Sequence, residues 1–270
     1  MRTLRVVSTA LLARAALAAS VAFPAQPLAA VAAMSSSPSP ALDASLLSSR
    51  VRGLYAGMMM ADALSMPVHW YYSTAQLDND FPPPLSEFSA PKSRHPGSIM
   101  ALSATGGAGR GSQAGSIIGD VINHGKKQYW GVPGVHYHRG LAAGANTLNA
   151  LVARLLARTL VREGREDGDA FLGDYVKFMT TPGSHDDTFA ESYHRIFFAN
   201  YAAGKPPRAC AGDDGHNIAS AGALVLLPPV AALAAATAAG TGGDAAAAAS
   251  AAAVRQQRLT HANDEMAGYR

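Results

Sequence analysis

The chain has 270 residues, and its 22 Lys and Arg against 19 Asp and Glu give a formal net charge of +3. No basic cluster is interleaved with aromatic residues, so nucleic acid is not an expected partner. Cys210 is the only cysteine, which excludes an internal disulfide and a zinc site built from several cysteines.

The N-terminal segment is predicted to be a leader. Residues 1–30 contain Arg2 and Arg5, an alanine-rich apolar stretch and no acidic residue, which is typical of a secretory signal or of the first part of an organelle presequence. The stretch is too short and too interrupted to predict a membrane span, and we expect no stable span in the mature chain. Residues 31–45 have the composition of a flexible linker. The folded domain is therefore predicted over residues 46–270.

A short motif in the leader indicates a destination. Residues 19–24, Ala-Ser-Val-Ala-Phe-Pro, resemble the signal-cleavage motif of plastid proteins in algae with secondary plastids. The resemblance implies delivery to a plastid through a secretory-type leader, with simple secretion as the alternative.

Most of the remaining chain shows the periodicity of α-helices. Apolar residues spaced i, i+3, i+4 predict a first helix over residues 45–64. Residues 73–115 are rich in Pro, Gly and Ser and predict a long irregular segment. The clearest helix is predicted from about residue 145 to 163, with Asn146 or Thr147 as its N-cap.

The later part of the chain continues the helical pattern. Helices are predicted over residues 168–179 and 189–203. The apolar run 219–233 contains two prolines and must bend or break there. Residues 231–253 are dominated by Ala and predict two weak helices around a loop, or partial disorder. No period-two strand pattern is convincing, so the predicted fold class is all-α.

Three polar segments are candidates for function, and each has a structural alternative. Asp62 lies in an apolar helix, where a carboxylate needs hydrogen bonds or a cation; it is predicted to anchor the fold or to act in a site. Residues 106–111 are a flexible loop or a backbone cradle for pyrophosphate beside Arg110. Residues 213–218 are an Asx turn with an N-cap or a ligand contact.

An acidic pair, Asp186 and Asp187, precedes a predicted helix start. Carboxylate and hydroxyl oxygens are the ligands that Mg²⁺ prefers, so the pair could bind a metal. Alternatively, Thr188 and Glu191 fit a capping box, with the acidic pair only complementing the helix dipole. The structural alternative is the more frequent one in proteins.

His124, His136 and His138 are close in the sequence. A His-x-His spacing brings the two rings together only on an extended segment. Without carboxylates or thiols nearby, a zinc site is not predicted. We expect these histidines to act through hydrogen bonds.

The order of these segments resembles the ADP-ribosylglycohydrolase superfamily. Residues 53–69, which contain Ala61-Asp62-Ala63-Leu64, resemble the opening helix of that family, and residues 144–147 lie where the family carries a metal-binding Thr-Asp-Asp-Thr. The motifs at 184–190, 214–223 and 259–261 follow in family order. The resemblance covers about residues 50–270.

The resemblance implies a fold, a cofactor and a set of ligand contacts. The family fold is an orthogonal all-α multi-helix bundle whose cleft holds two Mg²⁺ ions, which bind the ribose hydroxyls and position water. ADP-ribose or an ADP-ribosylated substrate is the implied partner. The implied ligand-binding residues are Asp62, His69, Asn146, Thr147, His185, Asp186, Asp214, His216 and Asn217.

Three departures from the family pattern affect the metal site. Ala145 and Asn146 replace the two carboxylates of the metal motif, and His69 replaces the cleft Glu. The late Asp-x-Asp-Thr motif has no counterpart before Arg270, which predicts a domain truncated at its C-terminus. Asp186, Asp187, Asp214 and His216 would then have to supply the metal ligands. The His-Trp-Tyr-Tyr run at 69–72 is nearer to the jellyfish J-type crystallins.

Two functions follow from this resemblance. The first is Mg²⁺-dependent hydrolysis of an ADP-ribosyl N- or O-glycosidic bond. The second is a catalytically inactive, crystallin-like or ADP-ribose-binding protein that has lost the dimetal centre.

Overall fold

The part of the chain that can be described begins just before the predicted domain. The computed structural model describes residues 44–107, 109–111, 115–212 and 221–262. The predicted leader and most of the predicted linker lie outside these ranges. So do the predicted ligand contacts Asp214, His216 and Asn217.

The described residues form seven α-helices and five short 3₁₀ segments, without a β-strand. The α-helices are α1 (Ala44–Ser65), α2 (Thr74–Asp80), α3 (Leu148–Glu163), α4 (Gly168–Thr180), α5 (Ser192–Ala202), α6 (Leu227–Thr241) and α7 (Ala245–Gln257). The predicted all-α class is therefore confirmed.

Helix α3 lies at the centre of the bundle and contacts α1, α4, α6 and the 3₁₀ segment Ala221–Leu226. Its buried stripe repeats every four residues and consists of Leu148, Val152, Leu156 and Leu160. This is the apolar face that the sequence predicted. Gly164 ends the helix in the left-handed conformation, with φ 72°, where a side chain would be strained.

Helix α1 follows the prediction closely and leads directly to the cleft. It continues into a 3₁₀ turn, Met66–Val68, that delivers His69 and Trp70. The predicted irregular segment 73–115 contains one helix that the sequence did not show, α2. That helix is seven residues long and has no buried residue, so it carries no amphipathic signal. Ser73 caps it by accepting from the Gln76 N–H.

The predicted helix 189–203 begins later than expected, and the predicted capping box is wrong. Helix α5 starts at Ser192, and its N-cap Glu191 makes no side-chain cap bond. The Thr188 hydroxyl instead donates to the Arg139 carbonyl at 2.7 Å, and Glu191 accepts from Asn149 at 2.7 Å. Tertiary hydrogen bonds have replaced the local ones.

The C-terminal helices match the prediction of two helices around a loop. Pro228 and Pro229 lie in the first turn of α6, where a missing N–H costs nothing. Asp244 caps α7 by accepting from the N–H groups of Ala246 and Ala247. Among the described residues, one helical stretch, Leu224–Thr241, is long and apolar enough to cross a membrane. A core helix of a globular domain meets the same criterion.

Replacing Leu156 with Ala should lower the free energy of unfolding by about 2–5 kcal/mol, because it opens a cavity beside the fully buried centre of α3. The measurement is urea unfolding followed by circular dichroism. Arg158→Ala, on the exposed side of the same helix, is the control and should cost less than about 0.5 kcal/mol. Equal losses would contradict the central position of α3.

Candidate functional site

The N-terminus of α3 is held by a carboxylate from α1. Asp62 accepts from the Thr147 N–H at 2.8 Å, from the Thr147 hydroxyl at 2.6 Å and from the Asn146 amide at 3.0 Å. Thr147 is the N-cap residue, but its hydroxyl is committed to Asp62 and makes no cap bond. Asp62 therefore has the hydrogen-bond partners that its position in an apolar helix requires.

A second carboxylate, Asp187, binds the same helix start from another side. It is fully buried and accepts from the Leu148 N–H at 2.7 Å and from His138 Nδ1 at 2.9 Å. Burial alone would raise the pKa of Asp187, but the charge and hydrogen bond of His138 and the Leu148 N–H outweigh it. The pKa of this carboxyl is held below its usual range, so Asp187 is ionised.

Asp186 and Asp187 do not form a site together. Asp187 is buried, with protein donors on both oxygens, whereas Asp186 is exposed. This geometry does not support the predicted metal pair.

Four histidines form a cluster, and one of them, His138, bonds to Asp187. His69 Nδ1 lies 2.5 Å from His138 Nε2, and the planes of these two rings are within 9° of each other, with centroids 4.8 Å apart. His136 Nε2 donates to the Pro67 carbonyl at 3.0 Å, and His95 Nε2 donates to the His69 carbonyl at 3.0 Å. His124, outside this cluster, bonds to the Thr180 carbonyl at 3.1 Å. The hydrogen-bonding roles predicted for His124, His136 and His138 are confirmed.

Burial keeps two of these rings neutral. It lowers the pKa of His69 to about 3, with the neighbouring His138 adding to the shift. It also lowers the pKa of His136 to about 4, against the bond to the Pro67 carbonyl. Both rings therefore retain a lone pair on one nitrogen at neutral pH.

Two adjoining pockets form a cleft over the start of α3. The first has a volume of about 260 Å³ and includes Trp70, Tyr137, Phe189, Arg110 and Arg195 among its lining residues. The second has a volume of about 540 Å³ and includes Asp62, His69, Thr147 and Asn149. Trp70 and Glu191 line both pockets. An aromatic and cationic pocket thus adjoins a pocket in which carboxylate, hydroxyl and amide side chains lie among apolar residues.

Glu191 is fixed where the two pockets meet. Its Oε1 accepts from Asn149 Nδ2 at 2.7 Å, and Asn149 Oδ1 in turn accepts from the Tyr193 hydroxyl at 2.9 Å and from His194 Nε2 at 3.0 Å. Gly222 packs directly against this carboxylate. A Cβ atom at this position would lie only 1.9 Å from Glu191 Oε2, so a side chain does not fit there. Glu191 is therefore held in one orientation.

The chain matches the sequence model of the family described as ADP-ribosylglycohydrolase over residues 43–269. It belongs to the ADP-ribosylglycohydrolase family. A search of curated proteins and a search of solved structures each found no match. The family membership that the resemblance implied is confirmed.

The ADP-ribosylglycohydrolase cleft brings together part of the predicted site. Asp62, His69 and Thr147 line its second pocket, and Asn146 bonds to Asp62. His185 packs near the Phe178 ring, with centroids 5.8 Å apart, and does not line either pocket of the cleft.

Residues that the sequence did not single out complete the cleft. The sequence assigns Glu191 to a helix cap and Trp70 only to the run at 69–72, and Arg195 carries no motif. Trp70 adopts a positive φ of 57°, which is strained for a bulky residue. Their convergence depends on long-range contacts and has no local signature.

The described residues do not fit the two Mg²⁺ ions of the family. At the start of α3, Ala145 has no side-chain atom that could bind a metal. Asn146 and Thr147 direct their polar groups to Asp62. His69 bonds to His138. Within the described ranges, no group of three or more His, Cys, Asp or Glu side chains converges on a metal position.

Replacing Asp62 with Ala should lower the free energy of unfolding by about 2 kcal/mol, because it removes hydrogen bonds to a charged acceptor and leaves the Thr147 N–H without its partner. Chemical denaturation measures the loss. Asp78→Ala, on the exposed surface of α2, should change stability by less than about 0.5 kcal/mol. An unchanged Asp62→Ala variant would show that α3 does not depend on this carboxylate.

The free energy of unfolding should fall between pH 7 and pH 5. The pKa of folded His136 is about 4, whereas an unfolded histidine titrates near 6.5, so below pH 6.5 the unfolded state binds more protons. His136→Gln should make the slope shallower by up to about 1.4 kcal/mol per pH unit.

Urea titrations of both proteins at several pH values between 5 and 7 test this, since most carboxylates stay ionised over that range. Identical slopes for the wild type and the His136→Gln variant would contradict the lowered pKa.

Proposed function

We propose that the chain binds an ADP-ribosyl group in this cleft and hydrolyses its N- or O-glycosidic bond. The observation that carries the proposal is that an aromatic and cationic pocket adjoins, at Trp70 and Glu191, a second pocket with carboxylate, hydroxyl and amide side chains in its lining. An ADP-ribosyl group also has two chemically different ends. One end carries an aromatic base and a pyrophosphate, and the other carries a ribose diol. Family membership supports the same substrate class.

The first pocket suits the base and the pyrophosphate. Trp70, Tyr137 and Phe189 offer aromatic faces and edges, with Trp70 packed edge-on against both other rings. Arg110 is exposed on the glycine-rich loop that the sequence predicted as a possible cradle. Arg195 braces that loop by donating to the Gly107 carbonyl at 3.0 Å and to the Gly109 carbonyl at 3.2 Å. A braced loop with an exposed guanidinium favours a phosphate ligand.

The second pocket suits the ribose and the bond to be broken. Thr147 and Asn149 line it with polar side chains, and Glu191 presents a carboxylate fixed by Asn149. Cleavage at an anomeric carbon develops positive charge on the sugar, which a fixed carboxylate stabilises. We assign this electrostatic role to Glu191.

The full chain should release free ADP-ribose from a peptide carrying ADP-ribose on arginine or on serine. Glu191→Gln should lower kcat by about 100-fold or more, because the developing positive charge loses its carboxylate. Chromatography of the released ADP-ribose measures turnover, and calorimetry with free ADP-ribose measures binding. Parallel reactions with Mg²⁺ and with EDTA measure the metal dependence that the family resemblance implies.

Glu166→Gln is the control, because Glu166 pairs with Arg255 away from the cleft, and its turnover should match the wild type. Absence of both binding and turnover in the wild-type chain would refute the proposed function. Binding without turnover would instead match the non-catalytic alternative.

A further inference from the structure

A continuous hydrogen-bonded chain of three side chains leads from the core to the cleft. Asp187 Oδ1 lies 2.9 Å from His138 Nδ1, and His138 Nε2 lies 2.5 Å from His69 Nδ1. Asp187 is fully buried, whereas His69 lines the second pocket. We propose that Asp187, His138 and His69 form a proton relay in which His69 is the catalytic base of the cleft. The inference rests on the proposed function and names the group that activates water.

The relay requires one tautomer of each ring. An ionised carboxylate can only accept, so His138 Nδ1 must carry the proton that it shares with Asp187. In the proposed resting state His138 is neutral, so its Nε2 is the acceptor and His69 donates to it through Nδ1–H. The lone pair of His69 is consequently at Nε2, on a ring that lines the cleft. This is the protonation state that a base requires.

The position of His138 explains how a buried ring can accept a proton. Burial holds the pKa of His69 near 3, so a cation localised on His69 would be unstable. When His69 Nε2 takes a proton, its Nδ1 proton can pass over 2.5 Å to His138 Nε2. The positive charge then rests on His138, beside the Asp187 carboxylate at 2.9 Å. The ion pair forms where the protein already provides the negative charge.

The other two histidines of the cluster lack this arrangement. His95 and His136 bond only to backbone atoms, namely the His69 carbonyl and Gly97 N–H for one, and the Pro67 carbonyl and His138 N–H for the other. They support the loops on which His69 and His138 lie. Of these four histidines, only His69 and His138 link a carboxylate to the cleft through side chains, which is a feature that packing alone does not require.

The proposed step balances as a hydrolysis. Water gives a proton to His69 Nε2 while its oxygen forms a bond to the anomeric carbon. The glycosidic bond breaks, and its electron pair stays on the leaving nitrogen or oxygen, which takes a proton from solvent. After the products leave, the relay returns its proton to solvent through His69. His69 is the catalytic residue, and His138 and Asp187 are positioning residues.

The decisive experiment is chemical rescue of the full-length His69→Ala variant. Its kcat for ADP-ribose release should fall by about 100-fold, while its Kd for free ADP-ribose changes less than about threefold. Added imidazole should restore turnover, because it can accept from water and donate to His138. Added 1-methylimidazole should not, because it has a basic nitrogen but no N–H for His138. His124→Gln is the control, because His124 lies outside this cluster and bonds to the Thr180 carbonyl, and its turnover should stay within about threefold of the wild type.

Several results would overturn the relay. Wild-type kcat in His69→Ala would remove His69 as the base, and equal rescue by both imidazoles would remove His138 from the relay. Long-range ¹⁵N NMR gives a readout that does not need activity: His69 should be protonated at Nδ1, and protonation at Nε2 refutes the relay. A wild-type chain that releases no ADP-ribose would refute the proposed function, while the NMR result would still decide the relay geometry.

Discussion

A fully buried carboxylate, Asp187, is bonded both to His138 and to the first backbone N–H of α3. A buried charge is costly unless every lone pair finds a donor, and here the donors come from two distant segments. The positive end of the α3 dipole adds to the same stabilisation. Removing any one partner would leave an uncompensated charge in the core. The loop that carries His138, the segment before α5 and the central helix are therefore fixed together.

Asp62 is the second carboxylate that binds the start of α3, and it differs in position from the carboxylates of the family pattern. The family pattern places carboxylates on the start of α3 itself, whereas this chain has Ala145 and Asn146 there. Its carboxylates reach the helix start from α1 and from the segment before α5, where they bind protein donors. The polar groups of the cleft are thus committed to one another. His69 and Glu191 are among the side chains that this network presents to the second pocket.

The sequence was sufficient for elements whose signal is local. The apolar stripe of α3, its glycine stop and the break between α6 and α7 were all predictable from periodicity and turn residues. The isolated charge of Asp62 correctly indicated a need for partners. The start of α5 was not predictable, because Thr188 and Glu191 had a plausible local capping pattern that distant partners replaced.

The proposed histidine relay could not be predicted from the sequence either, because it also depends on contacts between distant segments. His69 and His138 are 69 residues apart, and no periodic pattern links the 3₁₀ turn after α1 to the loop before α3. Glu191 likewise became a cleft residue only through Asn149 and Gly222. Long-range hydrogen bonds, rather than local propensity, decide which polar residues face the cleft.

The central claim is that Asp62 and Asp187 together hold the start of α3. The most direct test is native-state hydrogen exchange of the Thr147 and Leu148 amides, measured by NMR. The first amides of a helix have no acceptor within the helix and normally exchange quickly. The account predicts that these two are protected as strongly as amides in the middle of α3, because each donates to a carboxylate. Rapid exchange at both positions would contradict it.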